Sequence, residues 1–556
     1  MFRSFASPSF ISLVLAVPAL CATVPRAPFR SRGFASGEWS LEQQGTTGVS
    51  AQQLAVVSEK TVVIFDKIEN NQMKNNAGNS AWGSEFDLET KQARPLNPVT
   101  NTWCGTGNFL GNGTFISTGG TDGNGFQGIR LFDPCTDGTC DIFEDPNSNL
   151  RLDSQRWYPS STGSTVVLQM EGFNGVSIHS QFMEDTVNGN HFPILVQLPD
   201  GNIFVAANQA AMIFDWKTNT ERRLPGIPNG VRISSPFSAG ATLLPLTPEN
   251  NYTPEILICG GSTVDDKVAP NTLSSQTPAS AQCSRMVLNE EGIAAGWKIE
   301  SMPTPRVMPE LVILPDQRVL IVNGAQTGVA GYGNASSSTS HIVQSLTVGD
   351  QVGASNADNP ALTPVIYDPT APAGSRFSSA GIPASAIPRM YHSTATLTPN
   401  GTVMLAGSNP NDNVSEQRYP TEYRVEFYSP PYMSQDRPTY TGLPDTIDFN
   451  GLFILTVKLP KGVKNVSVYA MDLGFATHGV HMDQRSVKLN SILLLDKLTV
   501  FAPPSGKHYP PGPAFIYVVT DSGVPSFGHK IIIGNGASPP VDQGAIANML
   551  LSGGEA

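Results

Sequence analysis

Positive charge is scarce in this 556-residue chain, and one class of partner goes with it. Only 14% of the residues are charged, 34 Lys and Arg stand against 46 Asp and Glu, and the net charge is −12. Phosphate backbones are bound through basic faces, so no nucleic-acid partner is expected. Long apolar runs are missing too. The stretch Phe10–Leu20 is too short to cross a bilayer, no later segment is long and apolar enough, and no membrane association is expected. Strong amphipathic helices, coiled-coil heptads and low-complexity tracts are also absent, apart from a Ser/Ala/Asn-rich loop around 331–358.

Cysteine is sparse, with six in the chain. The start, MFRSFASPSFISLVLAVPALCATV, carries one early Arg, an apolar stretch and small residues around Ala22, which reads as a signal peptide over 1–22 and predicts a secreted, extracellular protein. Its removal takes Cys21 and leaves five: Cys104, Cys135, Cys140, Cys259 and Cys283. Five cannot all pair. Cys135 and Cys140 lie in the turn-rich DPCTDGTCD, and Cys259 and Cys283 flank a Ser/Thr-rich loop, so each pair suits a disulfide. Cys104 is left over. In an oxidising compartment such a thiol is either buried and inert or has another covalent fate. Six Asn-x-Ser/Thr sequons, at Asn112, Asn251, Asn334, Asn400, Asn413 and Asn465, are usable on a secretory route.

Turn formers, by contrast, are abundant: Gly 52 and Pro 45, with much Asn, Thr and Ser, as in many short strands joined by turns. One phrase recurs, an apolar strand, a D-G, N-G or D-Q turn and a second apolar strand. It is spelled FLGNGTFISTGG (109–120), QLPDGNIFVAAN (197–208), ILPDQRVLIVNG (313–324) and TLTPNGTVMLAG (396–407), with a longer turn in 243–261. Strands such as VVIFD (62–66) and AMIFD (211–215) lie between, at roughly the ~50-residue period of kelch repeats with large insertions. This predicts an all-β fold built on a β-propeller. After Tyr428 a Pro-rich stretch gives way to FILTVKL, NVSVYAMDL, SILLLDKLTVFAPP, AFIYVVT and HKIIIGN, which predict a small β-sandwich from about 430 to the end.

Four segments stand out from the strands: TWCGTGN around Cys104, QRWYPSST around Tyr158, PRMYHSTAT around Tyr391 and His392, and GFATHGVHMDQR around His478 and His481. Singly, each reads as ordinary: a half-buried Tyr, a core Trp, a hydrogen-bonded His, a small buried Cys. Together and in this order they resemble the copper-radical oxidases, the group containing glyoxal oxidase and galactose oxidase. The spelling Arg156-Trp157-Tyr158-Pro159 resembles the glyoxal oxidase branch.

The resemblance implies a kelch-like seven-bladed β-propeller over 23–428 and an immunoglobulin-like β-sandwich over 429–556 that supplies one copper ligand. It implies a single copper ion held by Tyr158, Tyr391, His392 and His478, with His481 the alternative to His478. It implies a Cys104–Tyr158 thioether that stores the radical and Tyr391 as base. The implied reaction is oxidation of small aldehydes of the glyoxal or methylglyoxal type to carboxylic acids, with O2 reduced to H2O2, by a monomer whose peroxide feeds secreted peroxidases. A primary alcohol or galactose oxidase with the same site is the alternative, and a non-catalytic glycan-binding propeller a third.

The chemistry is consistent without the family. Copper(II) favours nitrogen and oxygen donors, which two imidazoles and phenolates provide. One copper moves one electron, whereas aldehyde oxidation and peroxide formation each need two. A sulfur-substituted tyrosine, easier to oxidise than a plain phenol, would hold the second. Two points test the reading. Tyr391 and His392 are adjacent, and successive strand residues point to opposite faces, so both reach one metal only where the backbone is irregular. A Trp that stacks on the thioether in galactose oxidase has no counterpart in VVLQMEGFNGVSIHSQF, which leaves Phe173, His179 or a more N-terminal Trp to cover it. Arg156 and Arg389 flank the two tyrosines and either orient an anionic substrate or brace the loops.

Overall fold

The computed structural model describes residues 34–552, apart from 36, 146, 148–149, 153, 162–179, 270–271, 334–347, 539 and 541. The expected signal peptide, Asn334, Phe173 and His179 lie outside the described residues. The fold is all-β, with 39% of the chain in strands and 7% in helices. No described helix is long and apolar enough to cross a membrane.

The recurring phrase forms the two inner strands of up-and-down antiparallel sheets. In one, Ile194–Gln197, Ile203–Ala207, Ala210–Asp215 and Thr220–Arg223 pair in order. Its first turn is Asp200-Gly201, where Gly201 takes φ +94°, a conformation open to glycine. The inner strand IFVAA is wholly buried, and the outer strand TERR is largely exposed and charged, which blunts an open edge. Equivalent sheets begin at Gln53–Val56, Thr106–Phe109, Ala239–Leu243, Glu310–Ile313 and Ser393–Leu397. The last of these is completed by Ser40–Thr46, the first strand of the chain, which pairs with Arg424–Ser429. Against the seven blades expected, the described residues carry six sheets of this kind, and the strands Ala325–Tyr332 and Ser355–Pro360 form a separate two-stranded sheet. Both expected disulfides are present, Cys135–Cys140 and Cys259–Cys283, and Cys104 is free and buried.

Beyond Ser429 two sheets pack face to face. One orders Thr439–Thr441, Leu452–Lys458, Lys497–Phe501 and Ser491–Leu494; the other orders Thr446–Ile447, His529–Ile533, Gly512–Thr520, Val466–Asp472 and Arg485–Leu489. Strict alternation along LFILTVK buries Phe453, Leu455 and Val457 against Val468, Ala470, Ile516 and Val518.

From this second sheet a hairpin, Phe475–Thr477 with Val480–Met482, reaches into the larger domain and pairs with its strand Gln53–Val56, Thr477 opposite Gln53. The hairpin also packs against the first strand of each of the five other sheets. Those six strands surround it.

At its base Asp472 is buried and accepts the Gly474 N–H at 2.8 Å. Burial, and then Asp483, push its pKa up to about 8. A carboxyl in the unfolded chain titrates near 4, so the folded form holds a proton that the unfolded form has lost. Stability from this group is complete below pH ~4 and is lost as pH rises through about 8. Asp472→Asn keeps the acceptor and removes the charge. It is expected to leave stability at pH 3.5 unchanged and to raise it at pH 9 by on the order of 5 kcal/mol. Denaturant midpoints that shift equally at both pH values would refute this.

Candidate metal centre

Four of the residues singled out in the sequence share one backbone state. Cys104 (φ 56°), Tyr158 (φ 58°), His392 (φ 62°) and His478 (φ 53°) are all left-handed, a region that few non-glycine residues adopt and one that costs on the order of 1 kcal/mol each. The surrounding hydrogen bonds impose it. Gly105 N–H closes a turn onto the Thr102 carbonyl, and Tyr158 N–H donates to the Cys104 carbonyl at 3.0 Å. Ser408 N–H donates to the His392 carbonyl and Asn409 N–H to that of Tyr391. His478 turns the tip of the hairpin with Gly479 (φ 81°). The irregularity required at Tyr391-His392 is therefore present, and the two rings lie side by side, 3.9 Å apart at 28°.

The five side chains converge. The Tyr158 and Tyr391 hydroxyls are 3.0 Å apart, Cys104 Sγ is 3.4 Å from His478 Nε2, and the ligand atoms of Cys104, His392 and His478 lie within 4.8 Å of one another. His481 is not among them. Its Nε2 donates to the Leu473 carbonyl at 2.7 Å, so it braces the hairpin.

Hydrogen bonds fix both imidazole tautomers. His392 Nδ1 is 3.2 Å from the Asn409 carbonyl, which can only accept, so the proton is on Nδ1 and Nε2 keeps its lone pair. Thr477 gives its hydroxyl hydrogen to the Gln52 carbonyl and must accept from His478 Nδ1 at 2.6 Å, which again frees Nε2. Burial holds both rings neutral, pushing His392 well below the ordinary imidazole value and His478 down to about 3. Burial also pushes the two phenols and the Cys104 thiol up, so all three stand protonated. Two neutral imidazoles whose Nε2 atoms carry no proton, close together and beside two phenols, fit a copper ion.

Two neighbours, His191 and Gln52, carried no signal in the sequence. His191 lies flat on the Tyr158 ring, at 4.7 Å and 18°, in the covering position sought among Phe173, His179 and the tryptophans. Trp157 approaches the same ring tilted by 59°, with Trp103 edge-on to Trp157 and stacked on Tyr332. Gln52, fully buried, meets His392 and Cys104 together. Arg389 is a brace: it is buried on Glu426 and the Gly407 and Arg424 carbonyls. Arg156 is half-buried, and its main chain is held by Phe126 and Gly120.

A family model described as glyoxal oxidase N-terminus matches residues 54–345 and 342–432, and a galactose oxidase-like Early set domain matches 437–533. The chain belongs to the glyoxal oxidase family. Among curated relatives of this glyoxal oxidase family member, the aldehyde oxidase GLOX of Vitis pseudoreticulata is 34% identical, over 79% of this chain and 83% of the relative. The aldehyde oxidase GLOX1 of Arabidopsis thaliana is 32% identical, over 80% of this chain and 74% of the relative. Among solved structures, a fungal alcohol oxidase of the AA5 family in complex with copper superposes with a TM-score of 0.57 at 16% identity, covering 90% of this chain and 99% of that one. At that identity the likeness is one of fold.

Proposed function

We propose that the chain is a copper-radical oxidase that converts small aldehydes, as their hydrates, to carboxylic acids and reduces O2 to H2O2. The observation that carries this reading is the meeting of one unpaired buried cysteine with two phenols and two Nε2-directed imidazoles. The curated relatives, aldehyde oxidases by name, support aldehyde over alcohol as the substrate. In this reading residues 23–428 form a kelch-type propeller closed by the first strand on the last, and 429–556 form the domain that brings His478 to its axis. Residues 1–22 direct secretion. Asn112, Asn251, Asn413 and Asn465 are exposed and available to carry glycans.

Tyr158, Tyr391, His392 and His478 would hold the copper. When bound, copper would accept one of the two electrons the substrate loses, return it to O2, and draw charge from the substrate oxygen. The chain does the rest. Tyr391, whose phenolic proton a bound metal would displace, would then take the proton from a hydroxyl of the aldehyde hydrate, with the Tyr158 hydroxyl 3.0 Å away. Tyr158, as a radical joined to Cys104, takes the hydrogen atom from the substrate carbon, so that carbon is oxidised by two electrons in all. Two protons and two electrons then leave with O2 as H2O2. The crosslink itself balances in the same way: the Cys104 S–H and a Tyr158 ring C–H break, the C–S bond forms, and two protons and two electrons reduce O2 to H2O2.

Peptide mass spectrometry of copper-loaded protein tests this. A Cys104 peptide joined to a Tyr158 peptide with loss of two hydrogens is expected. A free Cys104 thiol after verified loading under oxygen would remove the radical, and with it the oxidase.

A further inference from the structure

Gln52 hydrogen-bonds to two residues of the centre, Cys104 and His392, and through Thr477 acts on a third, His478. It has no exposed surface and precedes the strand Gln53–Val56, on which the hairpin lies. Its Oε1 accepts the Cys104 N–H at 3.2 Å. Its Nε2 lies 2.8 Å from His392 Nε2 and 3.5 Å from Cys104 Sγ. Its own carbonyl accepts the Thr477 hydroxyl that sets the tautomer of His478.

The orientation of this amide is fixed by chemistry. A main-chain N–H needs an oxygen, so the atom facing Cys104 N is Oε1 and the atom facing His392 is the NH2 group. His392 keeps its proton on Nδ1, so the contact at Nε2 is a hydrogen bond donated by Gln52 into the lone pair that a metal would use. One lone pair serves one partner. When His392 Nε2 is taken, the amide loses that acceptor in a buried place, where an unpaired N–H is costly. The other acceptor it already meets is Cys104 Sγ.

Resting on the copper-radical reading above, we infer that Gln52 is a positioning residue of the cofactor. Its NH2 group occupies the His392 lone pair before metal binds and is then turned wholly onto the Cys104 sulfur. There it aims the sulfur at Tyr158 and draws electron density from the thioether. A donor on sulfur stabilises the reduced form against the radical, so Gln52 holds the Tyr158 couple at a higher potential than an apolar residue would.

The test uses the whole copper-loaded chain. Gln52→Met keeps length and removes all three polar contacts of the side chain. Given a melting transition that confirms folding, its Cys104–Tyr158 crosslink should form at least several-fold more slowly under O2. Crosslinked variant should favour the radical over the reduced form three- to tenfold more than the parent in a redox titration. Equal crosslinking rates and equal titrations would overturn the assignment. A crystal structure of the loaded parent gives an arm that needs no variant. Gln52 Nε2 is expected at or within the 3.5 Å it has here from Cys104 Sγ, and an amide turned away from sulfur would overturn the inference. Failure of the parent itself to crosslink would instead strike the copper-radical reading.

Discussion

Cys104→Ala is expected to give a folded protein that binds copper as the parent does and turns over at least about a hundredfold more slowly. The thiol is wholly buried, and its removal deletes one sulfur atom from a site lined by Gln52, His478 and Tyr158, a loss worth on the order of 1 kcal/mol. Both imidazoles and both phenols stay in place. What goes is the substituent that makes Tyr158 oxidisable. Burial already favours its neutral phenol, and each ~59 mV by which a one-electron couple rises reduces the oxidised population about tenfold. Peroxide release at matched copper content measures the effect. A variant within threefold of the parent would mean that Cys104 is an inert core thiol.

Tyr391→Phe separates the base from the radical. The phenyl ring keeps the 3.9 Å contact with His392, so the local backbone has no reason to change. The hydroxyl that stands 3.0 Å from that of Tyr158 is lost. A positioned general base contributes about 10²–10⁴-fold, and kcat is expected to fall by that factor while the Cys104–Tyr158 crosslink still forms. Loss of crosslink and turnover together would assign Tyr391 to assembly of the cofactor. A kcat within tenfold of the parent would remove it from proton transfer.

The sequence was most legible where chemistry is local. Period-2 alternation and Asp-Gly or Asn-Gly turns located the strands on either side of Gly201 and Gly401, and the change of pattern near Tyr428 falls next to the end of the strand Arg424–Ser429. Cysteine parity isolated Cys104 and paired the other four. The number of sheets was not legible, because insertions such as Ala325–Tyr332 and Ser355–Pro360, a separate two-stranded sheet, add strand-like segments in the chain between paired strands of another sheet, Val319–Val322 and Val365–Tyr367. Gln52 and His191 were also invisible. Gln52 sits in SAQQLAVV like any polar residue at a strand end, and its meaning comes from Cys104, 52 positions on, and His392, 340 positions on. His191 acquires its role by lying flat on a ring 33 residues earlier in the chain, through a contact that no periodicity encodes. The left-handed backbone at Cys104 and Tyr158 was equally hidden, since neither residue type signals it as glycine or asparagine would, and at His392 and His478 the enrichment of histidine in that region is too weak to mark a position.

The hairpin that carries His478 also fixes when the protein becomes chemically competent. Residues 40–429, with both tyrosines, Cys104 and His392, leave the ribosome before Phe475–Met482 has been made. Until then the space within the six inner strands lacks both its filling and its second imidazole. In the copper-radical reading proposed above, a nascent or prematurely terminated chain would have no complete donor set with which to collect copper. Peroxide-forming chemistry would then be withheld from every intermediate of synthesis and begin only when the last domain has threaded its hairpin home.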